Sequence, residues 1–414
     1  MYRVWNIIST YSLLLITGAV AALVWANIAP ESYHHVVETP LWTGGPFGTI
    51  GPDGVRVLTL HYLVNDMLMA FFFAIAAKEV WEAVILKDGS LRGRKALTPL
   101  IATLGGMAGP VAVYLLIAVL FGVLGEIQHG WAVPTATDIA FSYLVGRIVF
   151  GPGHPAIGFL LLLAIADDAG GLLILATFYP SAPLVPGWLL LSFGAAAAVF
   201  VLCNWLPRRL DRHKQDRPNS TWVRRVLGFW PYAIAGALSW YGFQQAGIHA
   251  ALGLLPIVPV IPHAERDFGI FAEGERHQTD LLNSIEHAVK MPVEWVLLLF
   301  GLMNAGVEFS AIGAPTAAVL GGLMLGKPVG ILLFGWFAAR VLRLGLPKGM
   351  EMRDLFVLGC VAAIGFTVAL FVAAVAFAPG PHQDAAKMGA LLSLLSSFVA
   401  IAAGRLAGVR RVDR

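Results

Sequence analysis

The chain has 414 residues, of which 58% are hydrophobic and 13% charged, with a mean hydropathy of +0.75 and a formal net charge of +3. A soluble domain carries about 25% charged residues, so this composition excludes a soluble globular enzyme, a disordered chain and a nucleic-acid binder, despite a pI of 8.9. The two cysteines, Cys203 and Cys360, both lie in apolar runs and support no disulfide framework.

A membrane-crossing helix needs about 20 mostly apolar residues. Apolar runs between polar breaks predict twelve spans, at 9–29, 58–86, 97–124, 133–150, 155–178, 184–206, 226–246, 248–262, 291–310, 315–342, 354–378 and 385–405. The first reads as an uncleaved anchor, because its apolar core is longer than that of a signal peptide. The eighth is short and punctuated by Pro256, Pro259 and Pro262.

Three polar stretches separate these runs. Residues 30–57 contain TGGPFGTIGPDG, and such Gly-Pro and Asp-Gly pairs mark turns. This leaves open a plain loop or a small hairpin using Val55-Arg56-Val57. Residues 207–225 form a basic loop. Residues 263–290 form a polar loop whose end, LLNSIEHAVKM, has helical spacing and leads into the ninth span.

Charge orients the chain. With the N-terminus inside and the spans alternating, 24 of the 28 basic residues fall on the cytoplasmic side. Arg56 and Lys387 fall outside, and Lys78 and Lys327 lie within spans. This division is the positive-inside signature. It places 30–57 outside, the 207–225 and 263–290 loops inside and both termini in the cytoplasm. The expected architecture is a single all-α polytopic membrane domain over 1–414.

Ionisable residues inside spans are expensive in hydrocarbon and mark function by default. They are Asp66, Lys78, Glu79 and Glu82 in span 2, Asp138 in span 4, Asp167 and Asp168 in span 5, His249 at the start of span 8 and Lys327 in span 10. Glu79 and Glu82 lie near a span end, where snorkelling is the bland explanation. Asp66 and His249 also have structural readings, as a cap and as a packing residue.

Asp167 and Asp168 sit midway along LLLLAIADDAGGLLIL, out of reach of water. Two neighbouring carboxylates in low dielectric do not both ionise cheaply. Such a pair holds either a proton or a small hard cation, since oxygen ligands suit hard cations. Asp138 lies in WAVPTATDIAF, where Pro134 removes a helix hydrogen bond and Thr135 and Thr137 re-satisfy freed backbone. Gly359, Gly365 and Thr367 punctuate span 11 similarly. Interrupted spans in both halves point to an inverted-repeat transporter site. There Asp138 would offset positive half-helix ends, and Lys327 negative ones.

These residues carry a resemblance to a known family. VNDMLMAFFF with Asp66, KEV with Glu79, GWAVPTATDIAF with Asp138 and AIADDAGGLLILATFY with Asp167 and Asp168 are joined by GIHAALG with His249 and IEHAV with Glu286 and His287. MNAGV, GLMLGKPVGI with Lys327 and CVAAIGFTVALFVA complete the set. Together, in this order, they resemble the NhaA-type sodium/proton antiporters, themselves a type case of the inverted-repeat architecture.

The resemblance implies twelve spans, an inverted repeat of spans 3–5 and 10–12, and unwound stretches in spans 4 and 11. It makes Asp167 and Asp168 the Na⁺- or Li⁺-binding and proton-binding carboxylates. Asp138 and Thr137 become residues of the unwound stretch, and Lys327 the lysine facing the pair. It gives Glu79, Glu82, His249, Glu286 and His287 a part in the pH response. It implies exchange of cytoplasmic Na⁺ or Li⁺ for a larger number of external protons, across a bacterial inner membrane and without a cofactor. It also implies a homodimer joined through an external hairpin, which fits residues 45–58.

The chain departs from the family pattern at Lys78–Ala83, at Lys290 and in SYLVGRIVFGPGHP. Two other classes share some of these features. One is a carrier of another cation or small solute on the same fold; three aspartates against one lysine favour a cation over an organic anion. The other is an intramembrane aspartyl protease, which needs its carboxylates on different spans within Tyr-Asp and Gly-x-Gly-Asp signatures.

Overall fold

The computed structural model describes residues 2–51, 53–85, 91, 93–213, 218–262 and 281–412. The remainder of the 263–290 loop, up to residue 280, and residues 214–217 of the basic loop lie outside these. The chain is mostly helical and divides into two compact units. Met1–Thr39, Ser90–Ile174 and Leu297–Arg414 form the first; Pro40–Gly89 and Leu175–Val296 form the second.

The elements that position the candidate residues are, in chain order, α1 (Tyr2–Ile28), α2 (Pro30–Val37), β1 (Pro40–Thr43), β2 (Thr49–Ile50), β3 (Arg56–Thr59) and α3 (Met69–Ile85). They continue with α4 (Arg94–Leu120), α5 (Ile139–Phe150), α6 (Pro155–Phe178), α7 (Leu189–Val199), α8 (Trp230–Ala246) and α9 (Leu281–Asn304). The last are α10 (Ala314–Gly321), α11 (Lys327–Trp336), α12 (Met352–Ala362), α13 (Phe366–Ala376), α14 (Pro381–Leu392) and α15 (Ser396–Leu406).

Among the described residues, five helical stretches are long and apolar enough to cross a membrane: Ala96–Leu120, Pro155–Phe178, Pro186–Leu210, Ala314–Val341 and Pro381–Leu406. The pair α12 and α13, bent by 52° at its break, makes a sixth. These coincide with six of the twelve predicted spans. The run at 248–262 is not a regular helix. It holds two 3₁₀ turns, Ala250–Leu252 and Val258–Val260. Pro256, Pro259 and Pro262 each lack the N–H that an α-helix needs. The run at 291–310 is helical from Leu281 but stops at Asn304.

In the first unit, α4 and α11 approach backbone to backbone. A Cβ on Gly105 would collide with the Gly330 carbonyl, and one on Gly109 with the Gly326 carbonyl. The reverse collisions also hold. Gly105-x-x-x-Gly109 and Gly326-x-x-x-Gly330 are thus a matched pair of small-residue seams, the means by which helices pack closely in lipid. Lys327 sits inside this seam, fully buried.

In the second unit, β3 is the centre of a three-stranded antiparallel sheet of order β1-β3-β2, with Trp42 opposite Leu58 and Ile50 opposite Arg56. The Arg56 guanidinium donates to Gln245 Oε1 at 3.0 Å, and the Phe47 ring packs on Trp240 at 5.6 Å, so the sheet is fastened to α8. A second apolar cluster joins Ala196 of α7, Tyr232 and Ala235 of α8, and Ile257 and Ile261.

Candidate functional site

The centre of the first unit is a pair of broken helices. A 3₁₀ helix, Gln128–Thr135, contains Pro134 and ends at Thr135; the backbone then extends until α5 begins at Ile139. The second break, at 363–365, separates α12 from α13. The Asp138 N–H donates to the Ile364 carbonyl at 2.7 Å, so the two breaks are joined directly.

Asp138 closes two helix ends. One oxygen accepts from the Phe141 N–H at 3.1 Å, capping α5. The other accepts from the Thr367 N–H at 3.2 Å and from the Thr367 hydroxyl, capping α13. Helix N-termini carry partial positive charge and orphan N–H groups, which one buried carboxylate satisfies here twice.

Lys327 serves the opposite polarity. Its Nζ donates to the Thr135 carbonyl at 2.6 Å, where the 3₁₀ helix ends, and pairs with Asp167 Oδ2 at 2.9 Å. Both side chains of this pair are sealed from solvent. The same Asp167 oxygen accepts from the Thr137 hydroxyl at 2.6 Å, while the Ser142 hydroxyl donates to the Val361 carbonyl at 3.1 Å, near the end of α12.

Not every acceptor is satisfied. Asp167 Oδ1 and Asp168 Oδ1 are buried and, among the described residues, have no hydrogen-bond partner. Buried polar atoms without partners are rare and call for an explanation. Among the described residues, no group of three His, Cys, Asp or Glu side chains is arranged to hold a metal ion.

The structure thus brings Thr137, Asp138, Asp167 and Lys327 together, with Asp168 beside Asp167 on α6. The remaining candidates are placed differently. In the second unit, Lys78 is buried on α3 with its Nζ 2.8 Å from Glu82 Oε2 and 3.8 Å from Glu79 Oε1. His249 Nδ1 accepts from the Ala251 N–H at 3.4 Å and lies 3.5 Å from Asp66 Oδ1. Glu286 and His287 fall on α9, but their side chains lie outside the described ones. Sequence reasoning missed Ser142, whose sole signal is a hydroxyl one helical turn after Asp138.

Comparisons with known proteins give the family. The family model described as Na+/H+ antiporter 1 matches residues 3–406. The chain is 67% identical over 419 residues to the Na(+)/H(+) antiporter NhaA of Jannaschia sp. (strain CCS1), covering 100% of both chains. It is 44% identical over 412 residues to the protein of that name from Desulfitobacterium hafniense (strain DSM 10664 / DCB-2), covering 98% of this chain and 97% of the relative. Among solved structures, it resembles the sodium proton antiporter MjNhaP1 of Methanocaldococcus jannaschii with a TM-score of 0.52 at 13% identity, covering 97% of this chain and 98% of that one. That last likeness concerns the fold alone. The full-length match and the two close relatives show that the chain belongs to the Na+/H+ antiporter 1 family.

Proposed function

We propose that the chain is a secondary transporter exchanging cytoplasmic Na⁺ or Li⁺ for external H⁺. The observation that carries this reading is the pair of orphaned oxygens, Asp167 Oδ1 and Asp168 Oδ1, beside a lysine engaged by Asp167. A carboxylate oxygen that holds a proton does not hold a cation, so binding of one expels the other, which is the chemical basis of antiport.

The cycle follows from the charges. Before loading, Lys327 is an ammonium paired with the Asp167 carboxylate, and Asp168 is protonated. Cation entry between the two carboxylates breaks the pair. Lys327 releases one proton and Asp168 a second, and one cation takes their place. Two protons exchange for one cation, so each cycle moves net charge and the membrane potential drives it. Thr137 supplies a hydroxyl to Asp167, and Asp138 keeps the helix ends neutralised throughout.

The wider reading comprises twelve spans with inverted repeats, in a bacterial inner membrane, with both termini cytoplasmic. The exchange would control internal pH and sodium. The family relationship and the division of basic residues support it. Glu79, Glu82, His249, Glu286 and His287 are assigned to tuning with pH. A homodimer would use the sheet at 40–59, whose outer strands β1 and β2 are exposed; open strand edges pair readily with another copy.

The test is dequenching of a pH-gradient dye in sealed vesicles holding the purified protein. Na⁺ and Li⁺ should dequench the dye, and Asp168→Asn should abolish the response. Full exchange by the Asp168→Asn protein would place the ion site elsewhere.

A further inference from the structure

The segment joining α11 to α12 shapes an open surface pocket of about 660 Å³, lined by residues 339–340 and 345–353. Its wall carries Arg340, Lys348 and Arg353 against one carboxylate, Glu351. Arg353 is engaged, with its Nε 3.0 Å from Glu351 Oε2 and its Nη1 donating to the Ala407 carbonyl at 3.3 Å. Among the described residues, neither Arg340 nor Lys348 meets a carboxylate. The pocket thus carries two uncompensated cations.

The wall is built rather than slack. The hydroxyl of Thr98, a buried residue, donates to the Gly345 carbonyl at 2.9 Å. Met350, itself buried, closes a turn onto the Pro347 carbonyl at 3.0 Å. Asp354 accepts from the Glu351 N–H at 2.7 Å, so the start of α12 is already capped and leaves the cations to something else.

The adjoining helix face says what that is. Val329, Leu333 and Trp336 are exposed at helical spacing along α11, and exposed Phe337 and Arg340 continue the stripe in the π-helical turn Phe337–Val341 that follows. An apolar stripe ending in an arginine is suited to acyl chains along its length and an anionic headgroup at its end.

We propose that this pocket seats the phosphate of an anionic phospholipid, held by Arg340 and Lys348, with the acyl chains lying along the exposed face of α11. Free phosphate shares the headgroup chemistry, but it has no use for the stripe. The assignment is independent of which ion the chain carries.

The test uses the full chain in phosphatidylcholine vesicles doped with a photoactivatable phosphatidylglycerol, with labelled peptides identified by mass spectrometry. Labelling within 329–353 should exceed that from the matching phosphatidylcholine probe. It should fall about tenfold in Arg340→Gln/Lys348→Gln, while labelling around 205–227 stays unchanged. The single Lys348→Gln variant, also at an exposed residue, should show an intermediate loss and serves if the double variant folds poorly. Unchanged labelling in these variants, or equal labelling by the phosphatidylcholine probe, would overturn the proposal. Suppression of the label by millimolar inorganic phosphate would make free phosphate the occupant and overturn the lipid assignment.

Discussion

In the proposed cycle, the charge moved turns on Lys327. Its ammonium holds Asp167 at 2.9 Å and the Thr135 carbonyl at 2.6 Å, so it has both a titratable partner and a structural one. Breaking a buried pair by removing one partner costs about 3–5 kcal/mol, so Lys327→Gln should lower thermal stability in either role. Voltage separates the roles. If the lysine carries one of two protons, residual exchange in Lys327→Gln becomes electroneutral and ignores an imposed potential. Potential-driven exchange in that variant would confine the lysine to structure. Lys327, Asp138, Asp167 and Asp168 were legible because a charge within an apolar run is too expensive to keep without a use. The second partner of each was not. Thr367 is an ordinary hydroxyl residue in a helical stretch, and its meeting with Asp138 depends on a contact more than 200 positions away.

The elements divide in the same way. The breaks near Pro134 and Gly365 were legible from local chemistry, because proline and glycine act on their own backbone. The run at 248–262 has the hydrophobicity of a span, but its three prolines replace a regular helix with short turns. The seam between α4 and α11 was invisible because glycines are common in membrane helices, and matching Gly105 and Gly109 with Gly326 and Gly330 requires the pairing itself. Gly330→Leu places a side chain against the Gly105 backbone. It should lower the melting temperature sharply and weaken exchange, since overpacking costs about 1–3 kcal/mol and displaces the neighbouring Lys327. A Gly330→Leu protein with unchanged melting would mean that the helices do not meet there.

Beyond α7, Asp211 accepts from the Ser220 N–H at 2.7 Å and from the Asn219 side chain at 2.8 Å. Desolvation pulls its carboxyl upward, but these donors prevail and hold it at about 2. A folded value below the unfolded one gives stability that is complete above the unfolded value of about 3.9 and is lost as pH falls toward 2. Limited proteolysis of the 207–225 loop should therefore accelerate over that window in the wild-type protein. In Asp211→Asn the loop should be cleaved equally fast on both sides of it.

At the scale of the whole molecule, up to six helical stretches among the described residues are long and apolar enough to cross a membrane, whereas the apolar runs of the sequence number twelve and the division of basic residues asks for an even count. The difference lies in runs such as 58–86, which carry ionisable groups or π-helical turns that no length criterion accepts. Cysteine accessibility tests the count and the orientation together. Single cysteines in 30–57 should react with an impermeant thiol reagent from outside intact cells, and those in 207–225 after the membrane is opened. Reaction of the 207–225 loop from outside would invert the topology.

The bond from the Asp138 N–H to the Ile364 carbonyl has a mechanical consequence. With Asp138 also gripping Thr367, the two broken helices are riveted at their breaks. A cycle that turned one helix against the other would have to shear three hydrogen bonds at once, in a place that water cannot reach to replace them. In the proposed exchange cycle the joined breaks should instead travel as a rigid axle, with hinging displaced to its ends. The amide protons of Asp138 and Thr367 should then resist deuterium exchange equally well in the sodium-loaded and the proton-loaded protein.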